Sequence, residues 1–106
     1  MSNLLVAVPL ALQLISVSGE PLPNLNVTPS CHAAAASEVE TTDRMQTCVA
    51  SEQDARDQLV QRWATFNGAD RASCVESMMS FEPTYTELLT CLELAQDARK
   101  LPDQLY

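Results

Sequence analysis

At 106 residues the chain has room for one domain, and six Lys/Arg against fourteen Asp/Glu give it a formal net charge of −8. The acids are spread along the chain, and this balance opposes binding to a phosphate backbone or an anionic membrane, both of which need clustered Lys and Arg. Aromatic residues are 5% of the chain, too few for a stacking platform on single strands, so no nucleic-acid partner is expected.

The first nineteen residues, MSNLLVAVPLALQLISVSG, hold no charged side chain. Within them Leu4 to Val17 is an apolar run broken by Pro9 and Gln13. It falls short of the roughly 20 residues of an ordinary membrane span. It matches the core of a signal peptide, with Val17 and Gly19 as the small residues before a cleavage ahead of Glu20. No Lys or Arg opens the stretch, so its positive charge is the α-amino group alone; the alternative is a hydrophobic helix that stays and packs. The expectation is a signal over 1–19, no stable membrane span after its cleavage, and a periplasmic or secreted product. No cysteine adjoins the cleavage point, so a lipid anchor is not expected.

Residues 20–30, EPLPNLNVTPS, carry three prolines that each remove a backbone donor, which reads as an extended linker. Asn26-Val27-Thr28 has the form of a glycosylation acceptor, but Pro29 directly after it makes a poor one. Ser30 then caps a short helix, CHAAAAS, rich in the best helix former. SEVETT suits a connection. From about Asp43 to Phe66 the residues Met45, Cys48, Val49, Ala55, Leu59, Trp63 and Phe66 recur at helical spacing, while Glu52, Asp54, Arg56, Asp57 and Arg62 mostly take the other side. Asn67-Gly68 breaks this helix, and Asn67 caps the next, with Asp70 near its positive end. That helix runs to about Ser80 and turns Cys74, Val75, Met78 and Phe81 inward. Glu82-Pro83 stops it. Thr84 to Glu87 reads as a capping box for the last helix, which reaches about Leu101 and buries Tyr85, Leu88, Cys91, Leu92, Ala95 and Ala98. Arg99 and Lys100 suit its negative end, and Pro102 closes it. The fold class is all-α: a small disulfide-stapled bundle of three main helices plus a short N-terminal one over 31–101, with a tail at 102–106.

The four cysteines, Cys31, Cys48, Cys74 and Cys91, form two pairs at an interval of seventeen. In a small exported chain an even number of cysteines forms disulfides, and in the chain-entropy model a loop of this length is worth about 3 kcal/mol. Of the three pairings, helix geometry favours Cys31–Cys48 with Cys74–Cys91. Each partner lies equally far from its turn, so a rise of about 1.5 Å per residue brings both sulfurs to one height. Cys48 and Cys74 differ in height by roughly 16 Å, against about 7 Å of tolerance between α-carbons. The nested alternative, Cys31–Cys91 with Cys48–Cys74, stays open but fits the spacings less well.

No catalytic, cofactor or metal residues are expected. The cysteines lack the close pairs of a zinc site, and His32, adjacent to Cys31 on a helix, faces elsewhere and is the chain's single histidine. No Gly-rich phosphate loop, G-x-S-x-G or H-E-x-x-H occurs. Asp54/Asp57 and Glu38/Glu40/Asp43 lack the pattern of a calcium loop and read as solvated helix faces. The cluster that stands out is Met78, Met79, Phe81 and Tyr85 around the Glu82-Pro83 turn. Its plain reading is core under the turn. Its functional reading is an adaptable contact surface for a protein partner, with Met79, Phe81 and Tyr85 as the contact residues and Met79 the one left most exposed.

Three stretches, RWATF (62–66), DRASC (70–74) and YTELLTCLELAQDARK (85–100), resemble a group of small secreted four-cysteine proteins of unknown function from alphaproteobacteria such as the rhizobia. The likeness covers roughly residues 48–101; before Cys48 only the signal, the proline linker and Cys31 correspond loosely. It implies export to the periplasm or beyond and supplies no catalytic residues. The expected role is a non-enzymatic, exported helical module that acts through protein contacts. The alternative is a carrier of a small ligand or metal ion in the same compartment.

Overall fold

The structure, a computed structural model, describes residues 21–36 and 41–101. The expected signal at 1–19, residues 37–40 of the expected connection and the tail at 102–106 lie outside the described residues. Among those described there are four α-helices, one 3₁₀ turn and no strand.

The proline-containing segment 21–27 has no regular secondary structure, yet it is more than a spacer. Leu22, Leu25 and Val27 pack against the core, so the folded unit begins ahead of the expected boundary at 31. Apolar residues set between prolines allow this, because the extended chain can lay alternate side chains on one surface without needing its own hydrogen-bond ladder. Helix α1 (Thr28–Ala35) starts earlier than expected, and Ser30 lies inside it rather than capping it. Its entry is an Asx turn, in which the Thr28 amide donates to Asn26 Oδ1 at 3.2 Å, and Pro29 fits the first turn, where no intrahelical donor is needed. Cys31 and Ala35 are the buried residues of α1.

Helix α2 (Thr41–Arg62) is the longest, and it tightens into a 3₁₀ turn at Trp63–Thr65 instead of continuing as α-helix to Phe66. The Thr65 hydroxyl donates to the Arg62 carbonyl at 2.6 Å and the Phe66 amide to the Trp63 carbonyl at 3.3 Å, which uses up the carbonyls that a further α-turn would need. Helix α3 (Gly68–Met79) is capped as expected: Asn67 Oδ1 accepts from the amides of Ala69 and Asp70 at 2.9 and 3.3 Å. Helix α4 (Tyr85–Ala98) is capped by Thr84, whose hydroxyl accepts from the Glu87 amide at 3.1 Å.

Helix α4 is the centre of the bundle. It packs on α2 and on α3, α1 packs on α2, and the backbones of α2 and α3 do not meet. Glu52 meets residues 85 and 86 while Arg62 meets Glu93 at 2.9 Å, so α2 and α4 run parallel. The disulfide Cys74–Cys91 and the pair Asp70–Arg99 show that α3 runs antiparallel to both. Leu59, Leu88 and Leu92 are fully buried at the centre, with Ala55, Phe66, Cys74, Met78, Tyr85 and Leu89 around them. Both disulfides follow the favoured pairing, Cys31–Cys48 and Cys74–Cys91, with α-carbons 5.5 and 5.8 Å apart. The height argument held because each pair joins adjacent helices at equal distance from their turn.

One acid departs from the expected pattern. Glu52, placed on the solvated face of α2 by its charge, is 4% exposed. Its Oε1 accepts from the Tyr85 amide and its Oε2 from the Thr86 hydroxyl, both at 2.6 Å. The first amides of a helix have no partner within it, and a carboxylate there also meets the positive end of the helix dipole. The bonds from Glu52 are therefore short and charge-assisted. Tyr85, 3% exposed, extends the joint: its hydroxyl accepts from the Leu25 amide at 2.7 Å and donates to the Pro23 carbonyl at 3.4 Å. Glu52→Ala, which strands the Tyr85 amide, is expected to cost about 1–3 kcal/mol of stability. Glu52→Gln, which keeps an acceptor, should cost less. Urea midpoints at neutral pH measure both, and an unchanged midpoint for Glu52→Ala would deny the bond its structural role.

Candidate functional site

The turn between α3 and α4 sorts the contact residues expected from the sequence. Helix α3 closes at Met79, with the Ser80 and Phe81 amides donating to the Ser77 and Met78 carbonyls at 3.2 and 3.1 Å. The helical stripe that holds Cys74 and Met78 in the core thus ends before residue 81. Phe81 is consequently 82% exposed instead of facing inward. Met79 is exposed, at 55%, but Phe81 and not Met79 is the most exposed residue of the cluster. Tyr85 drops out of the surface, because its ring is buried and its amide and hydroxyl are both committed. Ala98, also expected in the core, is exposed, and Leu89 takes a buried place that periodicity did not assign.

Beside Phe81 lies a cleft of about 460 Å³, lined by Cys74, Ser77, Met78, Phe81, Glu82, Glu87 and Cys91. The disulfide of the α3–α4 hairpin forms part of its wall, and Met78 adds apolar surface. Met79 is not among the lining residues. Glu82 and Glu87 stand on the cleft, and among the described residues neither forms a salt bridge. Sequence reasoning singled out Phe81 and missed the two acids as site residues. The available signal was the pair of glutamates on either side of Pro83, with no basic residue between Arg71 and Arg99.

The opposite end of the same hairpin is basic and self-paired. Arg99 forms two bonds to Asp70, Nε to Oδ2 at 2.7 Å and Nη2 to Oδ1 at 2.8 Å. Lys100 faces Asp97 at 3.7 Å, and Arg62 is paired with Glu93. The Arg71 guanidinium lies over the Trp63 ring, 5.7 Å from its centre, and donates to the Trp63 carbonyl at 3.3 Å. The end of α2 and the far end of the hairpin thus hold four of the six Lys/Arg, already engaged.

A second groove, about 580 Å³, runs between α2 and α4 and is lined mainly by small and polar side chains such as Thr47, Ser51, Gln58, Thr86 and Thr90. It shows no exposed large apolar residue, and no side chain there stands out as an anchor. Among the described residues no group of three or more His, Cys, Asp or Glu is placed to hold a metal ion. His32 is exposed on α1. No described helix is long and apolar enough to cross a membrane. Two disulfides with no free cysteine fit an oxidising setting, extracellular or periplasmic. No protein-family model, curated protein or solved structure matches the chain.

The hydrogen bonds from Arg99 hold the Asp70 carboxyl below its usual value of 3.8, with the Arg99 charge adding to them and slight burial opposing both. A carboxyl whose folded value is depressed contributes stability that is complete above its unfolded value and is lost as pH falls through the folded one. Asp70→Asn should therefore lower the thermal midpoint at neutral pH, and the difference from the wild type should shrink as pH falls through the depressed folded value. Melting curves across that range test the sign; a difference that grows toward acid would contradict it.

Proposed function

We propose that the chain is a non-enzymatic, exported helical module that acts through protein contacts made at the turn between α3 and α4. The observation that carries this reading is Phe81, 82% exposed at the rim of a cleft, on a hairpin held by its own disulfide. An exposed phenylalanine in contact with an indentation is the kind of anchor that protein interfaces use. The uncharged leader at 1–19, the two disulfides and the resemblance of residues 62–66, 70–74 and 85–100 to small secreted alphaproteobacterial proteins support the periplasm, or the space beyond it, as the compartment. The cleft volume also falls in the range of small-molecule sites, which favours the small-ligand carrier as the second reading.

Expression of the full sequence in a bacterial host should yield a mature chain beginning near Glu20 with both disulfides formed, read by non-reducing peptide mapping. An uncleaved chain would overturn the export reading. Affinity capture from a periplasmic extract should retain a partner on the wild type and on Leu94→Ser, a control at an exposed apolar residue elsewhere, and lose it on Phe81→Ser. Capture unaffected by Phe81→Ser would remove the turn as the contact surface. A reproducible added mass in native mass spectrometry, lost in the same variant, would favour the carrier instead.

A further inference from the structure

The cleft at the α3–α4 turn and the acids around it define the chemistry of what it binds. Phe81 and Met78 supply an apolar floor and rim, wide enough for one large side chain. Glu82 and Glu87 line the same cleft, are exposed, and have no cation paired with them among the described residues. Helix α3 also directs the negative end of its dipole toward the same turn. The cations of the hairpin sit at its far end and are engaged by Asp70, Asp97 and Trp63. The N-terminus of α4, the one positive helix end at the turn, is already covered by Glu52.

Charge is therefore segregated along the hairpin, and its free end is apolar at the centre and anionic at the edge. Resting on the reading of this turn as a protein-contact surface, we propose that the cleft receives a cationic polypeptide segment. An apolar side chain of that segment packs on Phe81 and Met78, while flanking Lys or Arg side chains meet Glu82 and Glu87. Such an arrangement takes its specificity and its association rate from the charges and its anchoring from the apolar contact. A second copy of the chain fits this end poorly, since it would bring the same acids together.

The test uses the mature oxidised protein and three synthetic peptides: KRLFKRK, its charge-reversed analogue EELFEEE, and KRSSKRK, which lacks the apolar anchor. Amide chemical shifts of isotope-labelled protein locate each contact, and titration measures affinity. KRLFKRK should bind with shifts confined to residues around Met78, Phe81, Glu82 and Glu87, and both analogues should bind markedly less. Glu82→Gln with Glu87→Gln should weaken KRLFKRK about threefold to tenfold. Salt should weaken it too, as the screening length falls from about 10 Å at 0.1 M to about 3 Å at 1 M. Glu82 and Glu87 are exposed, and an unchanged melting midpoint of the double variant would show that it tests contact and not folding.

Equal binding of EELFEEE, or indifference to the glutamine variants, would overturn the proposal. So would concentration-dependent self-association abolished by Phe81→Ser, which would assign the cleft to a second copy. If KRLFKRK fails while periplasmic capture still depends on Phe81, the contact surface stands and the cationic partner is wrong. If neither depends on Phe81, both readings fall together.

Discussion

The bundle depends on how the N-terminus of α4 is buried. A helix end taken out of water exposes amides that no intrahelical carbonyl can satisfy, and the central position of α4 requires its end to be taken out of water. Glu52 of α2 resolves this by accepting from the Tyr85 amide and the Thr86 hydroxyl, while Thr84 satisfies the Glu87 amide from within the chain. The same tyrosine then fastens residues 23–25 through its hydroxyl and carries the Arg56 guanidinium 6.0 Å from its ring centre. One buried carboxylate and one buried tyrosine thereby join α2, α4 and the N-terminal segment. Each bond is modest, but removing either partner leaves polar atoms with nowhere to go.

That joint also explains why the neighbouring turn carries an outward phenylalanine. Tyr85 and Met78, both nearly inaccessible, take the buried positions on either side of the turn, and Phe81 between them stays outside. The closure of α3 at Met79 releases the chain from the inward stripe just before that residue. With the disulfide Cys74–Cys91 fixing the two helices farther along, the exposed ring sits on a support already ordered before any contact is made. Ordering that need not occur on binding does not subtract from affinity.

Much of the fold was legible because it is written in local chemistry. Asn67 and Thr84 announce their helices through side chains that reach amides two or three residues away, and the cysteine interval encodes adjacent antiparallel helices through nothing but helical rise. Glu52 was harder. It lies four residues after Cys48 and three before Ala55, squarely on the buried stripe, and only the charge argued against burial. Its partner is thirty-three residues away, so the reason for burial cannot be found in its own helix. Phe81 was misplaced for a related reason: periodicity describes a helix while it lasts and says nothing about the residue just after it, whereas Tyr85, inside the last helix, is buried as its place on the stripe implied. Leu22, Leu25 and Val27 were hidden by the prolines among them, which suggest a spacer until a surface is present for the leucines to cover.

The pairing of the cysteines has a consequence for how the protein is made. Each disulfide spans seventeen residues, and neither loop contains a cysteine of the other. A polypeptide delivered N-terminus first into an oxidising space releases Cys31, then Cys48, and can seal that ring before Cys74 arrives. Cys91 then meets Cys74 as the one thiol left. A nested pattern would hold Cys31 open until the whole chain had passed, with Cys48 competing for it, and errors would have to be undone by thiol–disulfide exchange. Here the order of arrival is the order of pairing, so oxidative maturation can proceed without a catalyst to reshuffle bonds.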